Sequence, residues 1–123
     1  MVTTPVLFDT NILIDYLRGI PQARAECGGH ADRAVSIISW MEEMAGSTAA
    51  NEADARSFLL NFYTLTLGAD VAERAFLLRR SNRIKLPDAI IQATAENAGR
   101  VLITRNTRDF HAGTPGVRIP YTV

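Results

Sequence analysis

Cysteine is nearly absent from this chain: Cys27 is the only one in 123 residues. A lone cysteine excludes an internal disulfide framework, a multi-cysteine zinc site and a CxxC redox pair, and it fits a reducing cytoplasm. Lysine is as scarce, with Lys85 standing against twelve arginines. Long apolar runs are also missing. No stretch approaches the ~18 residues that a spanning helix requires, and the first residues lack the charged-then-apolar pattern of a secretory signal. A soluble, cytoplasmic protein without a membrane association is therefore expected. An excess of charge of either sign is missing too. Lys+Arg and Asp+Glu both number 13, so nothing global draws the chain to a polyanion, a membrane or an acidic partner. Internal repeats, low-complexity tracts and linkers are absent, and the hydrophobic content of 47% is ample for one core. Residues 1–123 read as a single domain.

What is present is an alternation of short apolar runs with helical patterns. Pro5 to Phe8 is apolar and stops at Asp9-Thr10-Asn11, after which Ile12, Leu13, Tyr16 and Leu17 recur at helical spacing. A short helical piece lies between Pro21 and Gly28-Gly29. A second strand is predicted over Ala34 to Ile38, with Ser39 capping a helix to about Ala45 and Gly46 stopping it. Asn51 is expected to cap a helix over Glu52 to Leu60, and Phe62 to Leu67 suits a strand. Helices follow over Asp70 to Ser81 and from Pro87-Asp88 to Ala98, with Gly99 as the stop. Val101 to Ile103 reads as a buried strand and Val117 to Ile119 as an edge strand. Parallel strands need helical crossovers, so the pattern predicts an α/β fold with a mostly parallel sheet of about five strands covered on both faces. Ligands on such sheets bind at the carboxyl ends of the strands.

The polar residues of interest fall at those ends. Asp9 follows the first strand, Glu42 sits inside the helix after the second, Asp88 opens a helix, and Asp109 follows the fourth strand. Carboxylates converging from distant segments repel one another unless a proton or a cation intervenes. An all-oxygen set without nearby His or Cys favours Mg²⁺ or Mn²⁺, ions that act on phosphates, so phosphodiester hydrolysis is the implied chemistry. Singly, each acid has a plainer use: Asp9 as a helix cap, Asp88 as a partner of the helix dipole, Glu42 and Glu43 as solvated surface, Asp109 as a turn residue. Between the neighbouring glutamates, Glu42 shares a helical stripe with Ile38 and Gly46, whereas Glu43 shares one with Ser39 and Ser47, which favours Glu42. Asn11 and Thr104 are candidate supporting groups.

Four ordered segments carry a family resemblance. Leu7-Phe8-Asp9-Thr10-Asn11-Ile12-Leu13-Ile14-Asp15 resembles the opening of PIN-domain nucleases, especially the VapC-type toxins of bacterial toxin–antitoxin pairs. Ser36 to Gly46 resembles the second motif, in which a Glu stands four residues before a Gly, and so places that Glu on Glu42. Leu86-Pro87-Asp88 to Ala95 resembles the third, with Asp88 as the acid, and Leu102 to Phe110 the fourth. The resemblance spans essentially the whole chain. It implies a three-layer α/β/α domain, an RNA substrate, Mg²⁺ or Mn²⁺ as cofactor, a cognate antitoxin that blocks the site, and a homodimer. Two positions depart from the pattern. Asn106 stands where many PIN domains have an acid, leaving the fourth ligand either to Asp109 or to a water bridged by Asn106, and Glu43 replaces an apolar residue.

The expected mechanism has Asp9, Glu42 and Asp88 holding one metal ion, Asp109 and Asn106 assisting, and water activated by the metal attacking the phosphate. No covalent protein nucleophile is needed: Cys27 and His30, or His111 near Asp109, form no nucleophile–base–orienter arrangement. Arg79, Arg80, Arg83 and Lys85, with Arg105 and Arg108 flanking the fourth motif, are candidate RNA contacts, the alternatives being that they bind an antitoxin's acidic segment or are solvated. Two competing classes remain. A phosphorylatable receiver needs an acidic pair after its first strand and a lysine after its last, and this chain has neither. A non-catalytic PIN-like module binding RNA or protein would keep the acids only as caps.

Overall fold

The computed structural model describes residues 3–110 and 113–122. The elements run β1 (Val6–Phe8), α1 (Thr10–Leu17), α2 (Pro21–Gly28), β2 (Arg33–Ser36), α3 (Ile37–Ala45), α4 (Glu52–Leu59), β3 (Tyr63–Leu65), α5 (Ala69–Asn82), α6 (Leu86–Asn97), β4 (Val101–Ile103) and β5 (Val117–Arg118). The five strands form one sheet in the order β3-β2-β1-β4-β5, and every pairing is parallel. This is the three-layer α/β/α architecture expected from the alternation.

β1 is central and shows how three residues can dictate two layers. Side chains alternate across a strand. Val6 and Phe8 enter one cluster with Ile12, Leu13, Ala23, Cys27, Leu59 and Phe62, which brings α1, α2 and α4 onto that face. Leu7 enters the opposite cluster with Ile91, Ala95, Leu102 and Phe110, which seats α6 on the other. α5 packs outside on α6 through Val71, Ala75 and Leu78 against Ala89 and Ala93, the alanines allowing close approach. α5 ends on Arg83, a left-handed residue with φ +58°, so the chain turns sharply into Ile84 and then α6.

Two expected caps are corrected. The second strand ends at Ser36, which is the N-cap of α3: its hydroxyl accepts from the Ile38 amide at 3.1 Å. Ser39, expected in that role, lies fully buried within α3 and is used elsewhere. The apolar run Val35 to Ile38 reads equally well as strand or as first helical turn, and tertiary packing decided. Asn51 occupies the N-cap position of α4 without capping it; its side-chain oxygen accepts from the Thr48 amide at 2.7 Å instead. β3 and β5 are shorter than the predicted runs, as suits edge strands.

Ser36 tests the corrected boundary. Ser36→Ala is expected to lower unfolding free energy by about 1 kcal/mol, read from urea unfolding as a shifted midpoint with an unchanged slope.

Candidate active site

The order β2-β1-β4 puts a topological switch between β1 and β4, where neighbouring crossovers depart in opposite directions and open a crevice at the carboxyl ends. Phe8 pairs with Ile103, so the next residues, Asp9 and Thr104, emerge side by side. The Thr104 hydroxyl donates to Asp9 Oδ2 at 2.7 Å, and the Thr10 amide donates to Oδ1 at 2.7 Å, making Asp9 also the N-cap of α1. Asn11 Nδ2 donates to Thr104 Oγ1 at 3.1 Å and approaches Asp9 Oδ2 at 3.4 Å. Asp9 is thus both a cap and a buried carboxylate at the crevice floor, 4% exposed.

Around it lies a cleft of about 650 Å³ lined by Asp9, Glu42, Asp88 and Asp109, with Asn11, Asn106, Thr107, Ile14 and the cations Arg83, Lys85, Arg105 and Arg108. The structure therefore gathers all four acids singled out in the sequence. Glu42 faces this cleft and Glu43 a separate depression beside Leu17 and Asp54. Thr10 Oγ1 lies 2.8 Å from both Glu42 Oε1 and Ser39 Oγ. With one proton to give, Thr10 donates to the carboxylate and accepts from Ser39, so the two hydroxyls orient Glu42. Asn106 Nδ2 donates to Asp109 Oδ2 at 2.9 Å, and its side-chain oxygen accepts from the Asp109 amide at 3.2 Å. Asn106 thus holds Asp109 in a turn.

The sequence pattern of the PIN domain matches residues 6–113. The chain belongs to the PIN-domain family. It is similar to Ribonuclease VapC10 of Mycobacterium tuberculosis, 31% identical over 113 residues and covering 85% of each chain. A chain of a toxin–antitoxin complex from Klebsiella pneumoniae is 45% identical with a TM-score of 0.90, over 96% of this chain and 99% of that one. DNA-bound VapBC from Salmonella typhimurium, 22% identical with a TM-score of 0.78 over 94% and 96%, shares the fold.

Electrostatics of the PIN cleft follow from its geometry. Among the described residues, none of the four acids forms an ion pair. Burial raises the Asp9 pKa, opposed by the bonds from Thr104 and Thr10. Asp88 is pushed up to about 6 by burial first, then by the charges of Asp9 and Asp109 and a hydrogen bond with Asp109. Carboxyl groups crowded into one cleft need a proton or a cation among them. No three His, Cys, Asp or Glu groups among the described residues already form a cage. The donor chemistry nonetheless fits a hard dication: carboxylate oxygens that form no ion pair with a cation among the described residues.

Other positions fall differently. Arg79 and Arg80 do not line the cleft; both are exposed on α5, with Arg80 stacked over Phe76 at 5.1 Å. Arg105 lines it but is bound to Asp15, which also accepts from the Tyr121 hydroxyl at 2.9 Å. The roles of Thr10, Ser39, Asp15 and Tyr121 around the cleft escaped the sequence reading. Asp15 left a signal, an acid in helical phase with Ile12 and beside Tyr16 on the apolar stripe. Cys27 is buried with its thiol raised to about 11, and His30 is tied to Glu26 at 2.9 Å, so that pair offers no nucleophile and base. His111 lies outside the described residues.

Carboxyl NMR of metal-free protein should find Asp88 titrating near pH 6, and Asp109→Asn should lower that value. Because the folded value is raised, the stability tied to this group is complete below about pH 4 and is lost as pH rises through about 6.

Proposed function

We propose that this chain is a divalent-metal-dependent endoribonuclease and the toxin member of a toxin–antitoxin pair, hydrolysing RNA phosphodiester bonds until a protein partner occupies the site. One observation carries the reading: four carboxylates from four separate segments share one cleft, and no cation pairs with them among the described residues. Support for the substrate comes from similarity to a chain named as a ribonuclease, and support for the partner from similarity to a chain of a toxin–antitoxin complex. A cytoplasmic homodimer belongs to the same reading.

Asp9, Glu42, Asp88 and Asp109 would hold Mg²⁺ or Mn²⁺. The ion, when bound, supplies Lewis acidity toward a phosphoryl oxygen and acidifies water at neutral pH. The protein's own groups do the orienting. Thr104 and the Thr10 amide fix both oxygens of Asp9, Thr10 and Ser39 aim Glu42, and Asn106 aims Asp109. Arg83, Lys85 and Arg108 line the cleft without an acid partner among the described residues and can neutralise phosphates on either side of the cut.

Protein stripped of any bound partner is to be incubated with total RNA and with tRNA and rRNA fragments, with Mg²⁺ or Mn²⁺ and with EDTA. Cleavage should require metal. Removing a group that merely orients a metal ligand costs metalloenzymes about 10–100-fold, so Asp9→Asn should lose at least about 100-fold. Glu42→Gln should abolish cleavage where Glu43→Gln spares most of it. Metal-loaded, folded protein that cuts none of these RNAs points to a non-catalytic binding module.

The arginines should divide by position. Replacing Arg83, Lys85 and Arg108 with Ala should weaken RNA binding measured in EDTA, and flatten its salt dependence by about 0.7 in slope for each phosphate no longer neutralised. Replacing Arg79 and Arg80 should do less; equal effects from both sets would place the RNA along α5 instead.

A further inference from the structure

Asp15 is a buried acid, 1% exposed, that the proposed nuclease chemistry does not use. It sits on the inward side of α1, where an apolar residue would pack without a desolvation cost. Both of its oxygens accept hydrogen bonds from residues far away in the chain. Arg105 grips it from the β4 exit with Nε on Oδ2 and a terminal nitrogen on Oδ1 at 3.0 Å, and Tyr121 adds its hydroxyl to Oδ2.

The origin of Arg105 gives this grip its meaning. Arg105 directly follows Thr104, the residue whose hydroxyl holds Asp9, and its own amide is directed at Asn11 Oδ1 at 3.4 Å. It lines the acidic cleft and feels the Asp9 charge. A guanidinium rooted there is well placed to fold onto Asp9 or Asp109, and a fork of five donors matches a carboxylate well. Instead its Nε and one terminal nitrogen are engaged by Asp15, and among the described residues it forms no ion pair with any of the four cleft acids.

We propose that Asp15 is a resident counter-ion for Arg105, holding the guanidinium out of the acidic cluster so that Asp9, Glu42, Asp88 and Asp109 stay free for a divalent cation. Asp15 and Tyr121 are positioning residues, and Arg105 is a cation withheld from the site rather than a contact to RNA. This rests on the metal-dependent nuclease reading above.

The test is direct Mn²⁺ binding, followed by electron paramagnetic resonance on folded protein stripped of partner and nucleic acid, with the parent and Asp9→Asn as references. Asp15→Asn frees Arg105 to compete with the ion and should weaken Mn²⁺ binding about tenfold, the scale of one nearby unit charge. Adding Arg105→Gln to that variant removes the competitor and should return the affinity toward the parent value. A purely structural pair would show no such rescue. In cleavage assays Asp15→Asn should need more Mg²⁺ for half-maximal rate while reaching the parent rate at saturation. Arg105→Lys keeps the charge without the two-pronged grip and should shift Mn²⁺ binding the same way by less, which serves if Asp15→Asn does not fold. Parent-like Mn²⁺ affinity in either folded variant overturns the proposal, as does failure of the second substitution to rescue. A parent that binds no Mn²⁺, like Asp9→Asn, brings down the nuclease reading and this proposal together. A parent that binds, matched by Asp15→Asn, removes only the counter-ion role.

Discussion

The parallel pairing of β1 with β4 is the constraint on which the rest of this molecule depends. Its register, Phe8 opposite Ile103, delivers Asp9 and Thr104 to the same point at the carboxyl edge of the sheet. The Thr104–Asp9 hydrogen bond, the burial of Asp9 and the crevice at the switch point all follow from that one alignment. A slip of one residue would turn Leu7 to the face of Val6 and Phe8 and would separate Thr104 from Asp9. The core and the cleft therefore share a single specification.

The cleft itself is an electrostatic problem held in place by packing. Asp9 and Asp88 are both shifted toward the protonated form by burial and by neighbouring carboxylates, a condition the fold tolerates because β1, α3, α6 and the β4 exit are anchored elsewhere. Phe110, buried against Leu7 and Ile91, pins the far end of the turn that presents Asn106 and Asp109. Apolar burial thus holds like charges together. The Asp15–Arg105 pair answers the same problem, since an arginine next to the floor of an acidic site needs somewhere to go.

Much of this was legible along the chain. The alternation of short apolar runs with helical stripes announced the layered parallel sheet, and its carboxyl edge announced where to look. The stripe shared by Ile38, Glu42 and Gly46 separated Glu42 from Glu43, and the structure places them in different depressions. Less legible were pairings between residues far apart in sequence. Nothing local distinguishes Ser36 from Ser39 as a cap, and only packing against α1 turns Ser39 inward to Thr10. The basic stretch around Arg79 to Lys85 looked uniform, yet the left-handed turn at Arg83 leaves Arg79 and Arg80 on α5 and brings Arg83 and Lys85 to the cleft.

The sequence by itself determined the kind of fold, the residue types that could bind a hard cation and the four segments that bear them, because hydrophobic period and motif spacing are local properties of the chain. Tertiary structure alone decided which hydroxyl serves which acid, which arginines meet the cleft and which acid claims Arg105. Those choices rest on pairs such as Asp9–Thr104 and Asp15–Tyr121, separated by 95 and 106 residues, whose hydrogen bonds exist only once the sheet has closed.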